Sequence, residues 1–212
     1  MSYAIIGSGK VGQALATAFA RKGVEVAIAS RRSAEALAPI AKAIGPTISP
    51  KSLKDAVQAD IVLLAVPFGT QKDIAKAAES WQGKIVIDVT NAYGVAPEEL
   101  GNLPSSVVIS QAFPGAKLVK AFNSLPAEVL AEDPNVKGGR RVVLLSSDDE
   151  GAATQVATLI EQLGFAPVQL GKLAEGGLLI QARGKTWAQL IFQDFVKFNL
   201  SNPLLKGDHA HT

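Results

Sequence analysis

The chain has 212 residues, 48% of them apolar, with a net charge of +2 and no cysteine. That length suits one domain with a sizeable core, and no apolar run is long enough to cross a bilayer. The missing cysteines exclude disulfides, thiolate metal sites and Cys nucleophiles, and the small charge without a basic stripe argues against nucleic acid.

The chain enters its first strand at once, which leaves no room for a signal peptide and agrees with a cytoplasmic protein that meets no membrane. That strand is Tyr3-Ala4-Ile5-Ile6. Gly7-Ser8-Gly9-Lys10-Val11-Gly12 follows, and Val11 to Lys22 reads as a helix with Val11, Leu15, Ala18 and Phe19 on one apolar face. Strand, glycine turn and helix form the dinucleotide-binding order. Gly7 makes the turn, Gly9 admits a pyrophosphate close to the backbone, and Gly12 lets the helix pack on its strand. The unpaired N–H groups and the dipole at the helix start both favour an anion. The plainer alternative is a glycine turn that serves packing alone. Gly23 stops the helix, and Val24 to Ala29 alternates as a second strand.

Ser30-Arg31-Arg32 then stands where such folds meet the adenosine ribose. A carboxylate here would bond the 2′-hydroxyl and repel a 2′-phosphate. This chain offers a hydroxyl and two guanidinium groups instead, which suits NADP; the alternative is a solvated Arg pair. Ser33 caps a helix running to Ile44, Gly45-Pro46 ends it, and Ser52 to Ala59 reads as a short helix. Ile61 to Val66 is a continuous β-prone run, typical of a parallel strand covered on both faces. Its carboxyl end, Ala65-Val66-Pro67-Phe68 with Gly69 and Thr70, is where ligands bind in open α/β sheets. Phe68 fits either a cofactor cover or a core position.

Asp73 to Trp81 reads as a helix and Lys84 to Val89 as a buried strand. Beyond it, Asp88 suits a turn-shaping role and Asn91 a ribose or amide contact. Residues 92 to 104 read as an irregular connection. Ser105 to Phe113 is ambiguous, since Val107-Val108-Ile109 favours strand and the Ser pair favours a helix start. Lys117 to Phe122 is a strand, Pro126 to Ala131 a helix, and Asp133 to Gly139 a turn-rich loop. Arg141 to Leu145 is a strand, Asp149 to Leu163 a helix and Pro167 to Leu170 a short strand. From Lys172 the pattern turns helical, with Trp187, Leu190, Ile191, Phe195 and Phe198 at helical spacing as core packing or a dimer seam. The expected layout is a dinucleotide-binding domain over residues 1–170, a helical segment of the same domain over 171–200, and a disordered tail over 201–212.

Both histidines, His209 and His211, fall in that tail, and neither Tyr3 nor Tyr93 has a Lys four positions on. The folded body thus lacks imidazole for proton transfer or a metal. Direct hydride transfer between two stacked rings needs orientation above all, and the cofactors carry its difficult chemistry.

The sequence resembles the deazaflavin (coenzyme F-420)-dependent NADP oxidoreductases, and is similar to the cytosolic NADPH domains of the six-transmembrane metalloreductases. The matching stretches are Ile5 to Gly9, Ser30 to Arg32, Ala65 to Pro67, Gly83 to Asn91, Val119 to Asn123 and Leu163 to Val168. The resemblance implies a Rossmann-type doubly wound, mostly parallel α/β sheet with helices on both faces and C-terminal helices on the same domain. It implies phosphate contacts at Ser8, Gly9, Lys10 and Val11, 2′-phosphate contacts at Ser30, Arg31 and Arg32, and a nicotinamide flanked by Ala121, Asn123 and Leu125. At residue 123 the deazaflavin enzymes carry His and the metalloreductase domains Asn, as here, which admits FMN or FAD as acceptor. A homodimer through the C-terminal helix is the expected assembly. The alternatives are an imine or hydroxyacid reductase of the β-hydroxyacid dehydrogenase type, and a non-enzymatic NADP-sensing module.

Overall fold

The computed structural model describes residues 1–198. The N-terminal half alternates strand and helix: β1 (Tyr3–Ile6), α1 (Lys10–Arg21), β2 (Val26–Ala29), α2 (Ala34–Ile44), β3 (Ile48–Pro50), α3 (Leu53–Ala56), β4 (Ile61–Leu64), α4 (Gln71–Ala75) and β5 (Ile85–Asp88). A 3-10 turn, Glu98–Leu100, and α5 (Ser105–Ser110) lead to β6 (Lys117–Ala121), then α6 (Ala127–Ala131), β7 (Asn135–Val136), β8 (Gly139–Ser147), α7 (Glu150–Gln162) and β9 (Ala166–Gln169). The chain continues through α8 (Gly176–Leu179), β10 (Ala182–Arg183), β11 (Thr186–Trp187) and β12 (Val196–Phe198).

The first six strands are parallel and stand in the order β3-β2-β1-β4-β5-β6, that of a doubly wound dinucleotide fold. The order reverses between β1 and β4, which opens a crevice at their carboxyl ends. Beyond β6 the sheet turns mixed: β8 is antiparallel to β6, and β9 is parallel to β8. Register sets the two cores. Ile28, Ile5, Leu63, Ile87 and Val119 form one row across five strands, and pack with Leu15 and Phe19 of α1 and Val156 and Leu159 of α7. On the opposite face Ile6, Val62, Leu64 and Val86 pack with Ala56 of α3, Ile74 of α4 and Ile109 of α5.

Three of the described helices start on side-chain caps: Ser33 accepts from Ala36 N, Ser52 from Asp55 N and Asp149 from Ala152 N. β3 was not anticipated: three residues ending in proline carry too little signal, and the strand exists because it pairs with β2. The ambiguous stretch after Pro104 is helical. The helical expectation for 172 to 198 is corrected. Only Gly176–Leu179 is helical there; Ala182–Arg183 and Thr186–Trp187 form a small hairpin, and Val196–Phe198 pairs with β8. The free edge of β8 supplied a ladder that the side-chain stripe could not signal. The C-terminal helix expected as a dimer seam is therefore absent over these residues, and the expected tail lies outside the described residues. No helix among the described residues is long and apolar enough to cross a membrane.

Candidate dinucleotide site

The glycine turn joins β1 to α1 at the crevice. Gly7 has φ +126°, and a Cβ there would lie 2.0 Å from the Ala65 carbonyl oxygen. A Cβ on Gly12 would lie 1.9 Å from the Gly7 carbonyl oxygen. Both positions are closed by the protein's own backbone. Gly9 differs: its backbone is extended and nothing lies within 4 Å of a Cβ placed on it. The space above Gly9 is free for a ligand. No side chain caps α1 and no acidic residue sits in its first turn, so its leading N–H groups face that space with the positive end of the helix dipole.

A cavity of about 300 Å³ opens there. Gly7, Ser8 and Gly9 form its floor, Ser30, Arg31 and Arg32 one side, and Ala65, Val66 and Pro67 the other. The three stretches meet because β2, β1 and β4 are neighbours and all end at the same edge. Ser30 Oγ accepts from Arg32 N at 3.1 Å, which holds the turn after β2. Arg31 and Arg32 are exposed, and neither guanidinium has a hydrogen bond or ion pair among the described residues. Two uncommitted cations beside a small hydroxyl have the charge and donor geometry that suit a phosphate monoester. Leu53, Asp73 and Ile74 complete the walls. Sequence reading missed them because α3 and α4 bring them in by packing, with no local motif.

Other expected site residues stand elsewhere. Lys10 is exposed, 3.9 Å from Glu128. Val11 packs against the first core, and Gly12 supports the turn. Phe68 is half-buried and packs against the second core.

The other half of the expected site lies two strands over. Asn91, after β5, donates from Nδ2 to the Asn123 carbonyl oxygen at 3.0 Å, and Asn123 Nδ2 donates back to Asn91 Oδ1 at 3.0 Å. Asn123 Nδ2 also donates to the Ile180 carbonyl oxygen. Its own Oδ1 is buried without a partner, an acceptor left open. Ala121 and Leu125 are buried in the first core. Between them Phe122 adopts φ +62°, rare for a side-chain-bearing residue, while its ring sits in that core. This conformation turns the chain out of β6 and sets Asn123 at the edge.

A buried ion pair fixes both loops from below. Register places Asp88, Lys120 and Ser146 side by side on one face. Lys120 Nζ lies 3.1 Å from Asp88 Oδ2 and donates to the Thr90 carbonyl oxygen at 3.1 Å, with both charged side chains fully buried. Asp88 Oδ1 accepts from Thr90 N and Thr90 Oγ1, as a turn-shaping role requires, and Ser106 Oγ donates to Oδ2.

The strand order, the closed glycine turn and the phosphate-ready cavity define a Rossmann-type dinucleotide-binding protein. Residues 2–92 match the family described as NADP oxidoreductase, coenzyme F420-dependent. The chain is 43% identical to a hypothetical protein of Sinorhizobium meliloti, with a TM-score of 0.85 over 93% of this chain and 96% of that one. Over residues 2–92 the chain thus resembles this NADP oxidoreductase family. A structure described as a candidate F420-dependent NADP-reductase from Arthrobacter sp. FB24 is 28% identical, with a TM-score of 0.67 over 82% of this chain and 86% of that one. The metalloreductase STEAP3 of Rattus norvegicus is 28% identical over 80% of this chain and 34% of its own length. The chain thus spans about a third of the curated relatives it matches. A reductive aminase from Aspergillus terreus, 18% identical with a TM-score of 0.58, shares the fold.

Proposed function

We propose that the chain binds NADP(H) and passes hydride directly between its nicotinamide and a flat redox acceptor, a deazaflavin or a flavin such as FMN or FAD. The observation that carries this reading is the uncommitted pair Arg31 and Arg32 beside Ser30, at the cavity that opens over Gly9. The α1 N-terminus would hold the pyrophosphate and the guanidiniums the 2′-phosphate. Bound NADPH supplies the hydride. The chain's own part is orientation: Asn91 and Asn123 lock their loops together, and the open Asn123 Oδ1 is suited to accept from a carboxamide N–H. Proximity and alignment of two rings supply much of the rate without a relayed proton.

The test is a titration of NADPH and NADH into the protein and into Arg31→Ala/Arg32→Ala. Charge-assisted bonds contribute about 1.5–3 kcal/mol each, so the double variant should bind NADPH at least about tenfold more weakly, with NADH little changed. Equal affinity of the unmutated chain for both nucleotides would refute the reading. Stopped-flow mixing of the NADPH complex with deazaflavin, FMN, FAD and riboflavin then names the acceptor. Turnover of a small imine without any of them would replace that half of the proposal.

A further inference from the structure

The two polar atoms of the Asn123 amide have opposite fates. Nδ2 donates twice, to Asn91 Oδ1 at 3.0 Å and to the Ile180 carbonyl oxygen. Oδ1 is buried and accepts from no group among the described residues, on a side chain only 3% exposed. The amide cannot be turned over. Backbone carbonyls only accept. That of Asn123 takes Asn91 Nδ2, which leaves Asn91 Oδ1 facing Asn123, and that of Ile180 takes the other N–H. A reversed amide would set oxygen against oxygen at both contacts. An acceptor so fixed and so buried calls for a donor from outside the chain.

Its position in the sheet says which donor. Ser30 follows β2 and Asn123 follows β6, four strand spacings apart. At about 4.8 Å each these span about 19 Å, which an extended dinucleotide covers when its 2′-phosphate lies at Arg31 and Arg32. The end that arrives at Asn123 is the nicotinamide, whose donor is its carboxamide N–H.

We propose that Asn123 Oδ1 is the atom that sets specificity at the nicotinamide end: it selects the primary amide and rejects the corresponding acid. This rests on the NADP(H) binding proposed above. A carboxylate offers only acceptors, so it meets Oδ1 lone pair to lone pair and carries a charge into the interior without a partner. Asn91 and Ile180 act through Asn123 and are positioning residues. The Lys120–Asp88 pair anchors both amide loops from below. The stretch from Trp187 to Phe192, bonded to the Ser124 carbonyl oxygen through Phe192 N and exposed at both its end residues, is the part that shifts as the amide enters.

Isothermal titration of the full chain with four ligands tests this: NADP+, deamido-NADP+, the acetylpyridine analogue of NADP+ and adenosine 2′,5′-bisphosphate. The second carries a carboxylate for the carboxamide, and the third a methyl group for its amino group. NADP+ should bind at least about tenfold more tightly than either analogue. Asn123→Ser should bring the three to comparable affinity, and Asn91→Ala should narrow the gap. The bisphosphate, which reaches only residues 30–32, should bind both variants as it binds the unmutated chain. Thermal melts confirm that the variants fold, and a purely structural role would not change the ratio between NADP+ and its analogues. Equal affinity of the unmutated chain for the three full nucleotides overturns the proposal while bisphosphate binding upholds the nucleotide site. A preference that survives Asn123→Ser overturns it too. Rejection of the acid alone, with the acetylpyridine analogue bound as tightly as NADP+, overturns it in favour of a charge effect. A chain that binds none of the four refutes the nucleotide reading and this proposal with it.

Discussion

The three glycines of the turn are not equivalent, and the difference is testable. Gly7 and Gly12 are closed by backbone, while Gly9 faces open space. Gly9→Ala should therefore leave the fold intact and weaken NADPH binding by about tenfold or more, since its methyl group occupies the ligand's approach. Gly7→Ala should instead lower the melting temperature sharply, because both its φ and its neighbour at 2.0 Å forbid a Cβ. Thermal melts beside nucleotide titrations separate the two effects. The Lys120–Asp88 pair makes a second prediction. Lys120→Met leaves Asp88 buried and uncompensated, so urea denaturation should show a loss of about 3–5 kcal/mol. The motif residues were legible because glycine sterics and guanidinium chemistry are properties of the residue itself. The Asn91–Asn123 pair and the Asp88–Lys120 pair each join residues 32 apart, and only the parallel pairing of β5 with β6 brings them together.

Among the elements, α7 offers a clean measurement. Asp149 accepts from Ala152 N at 2.7 Å and lies 3.2 Å from Lys117 Nζ. The backbone bond first, and then Lys117, hold its carboxyl below the usual range. A depressed folded value means that the cap stabilises above the unfolded value of about 3.9 and loses that effect as pH falls through the folded one. Asp149→Ala should cost about 1 kcal/mol at neutral pH, and the difference from the unmutated chain should shrink in acid. Denaturation at pH 7 and near pH 2 would show it. Periodicity and caps gave α1, α2, α7 and the buried strands. They left α5 open, since Val107-Val108-Ile109 favours a strand and the Ser pair a helix start; Ser105 N bonds Gln181 Oε1 and Ser106 Oγ bonds Asp88 in the helical form. Tertiary partners decided between the two.

For the whole molecule, the nucleotide should act as a stabiliser because its receptor is assembled from the ends of three strands. A ligand at a hundredfold its dissociation constant adds about 2.7 kcal/mol, which raises the melting temperature of a chain of this size by about 5–10 °C. NADPH should do so at lower concentration than NADH, and the difference should vanish in Arg31→Ala/Arg32→Ala. A thermal shift series with both nucleotides checks this. The C-terminal segment is bound to the same body through Ile180, Gln181 and β12.

The amino-acid sequence alone determined the glycine turn, the arginine pair, the helix caps and the buried parallel strands. Each is set by forces that act within a few residues: Cβ sterics, side-chain capping and the spacing of apolar groups. The tertiary structure decided the mixed edge beyond β6, the strand that replaced a C-terminal helix, and the amide pair beside the sheet. Those depend on which backbone edges and buried charges find partners far along the chain, and no local pattern encodes that choice.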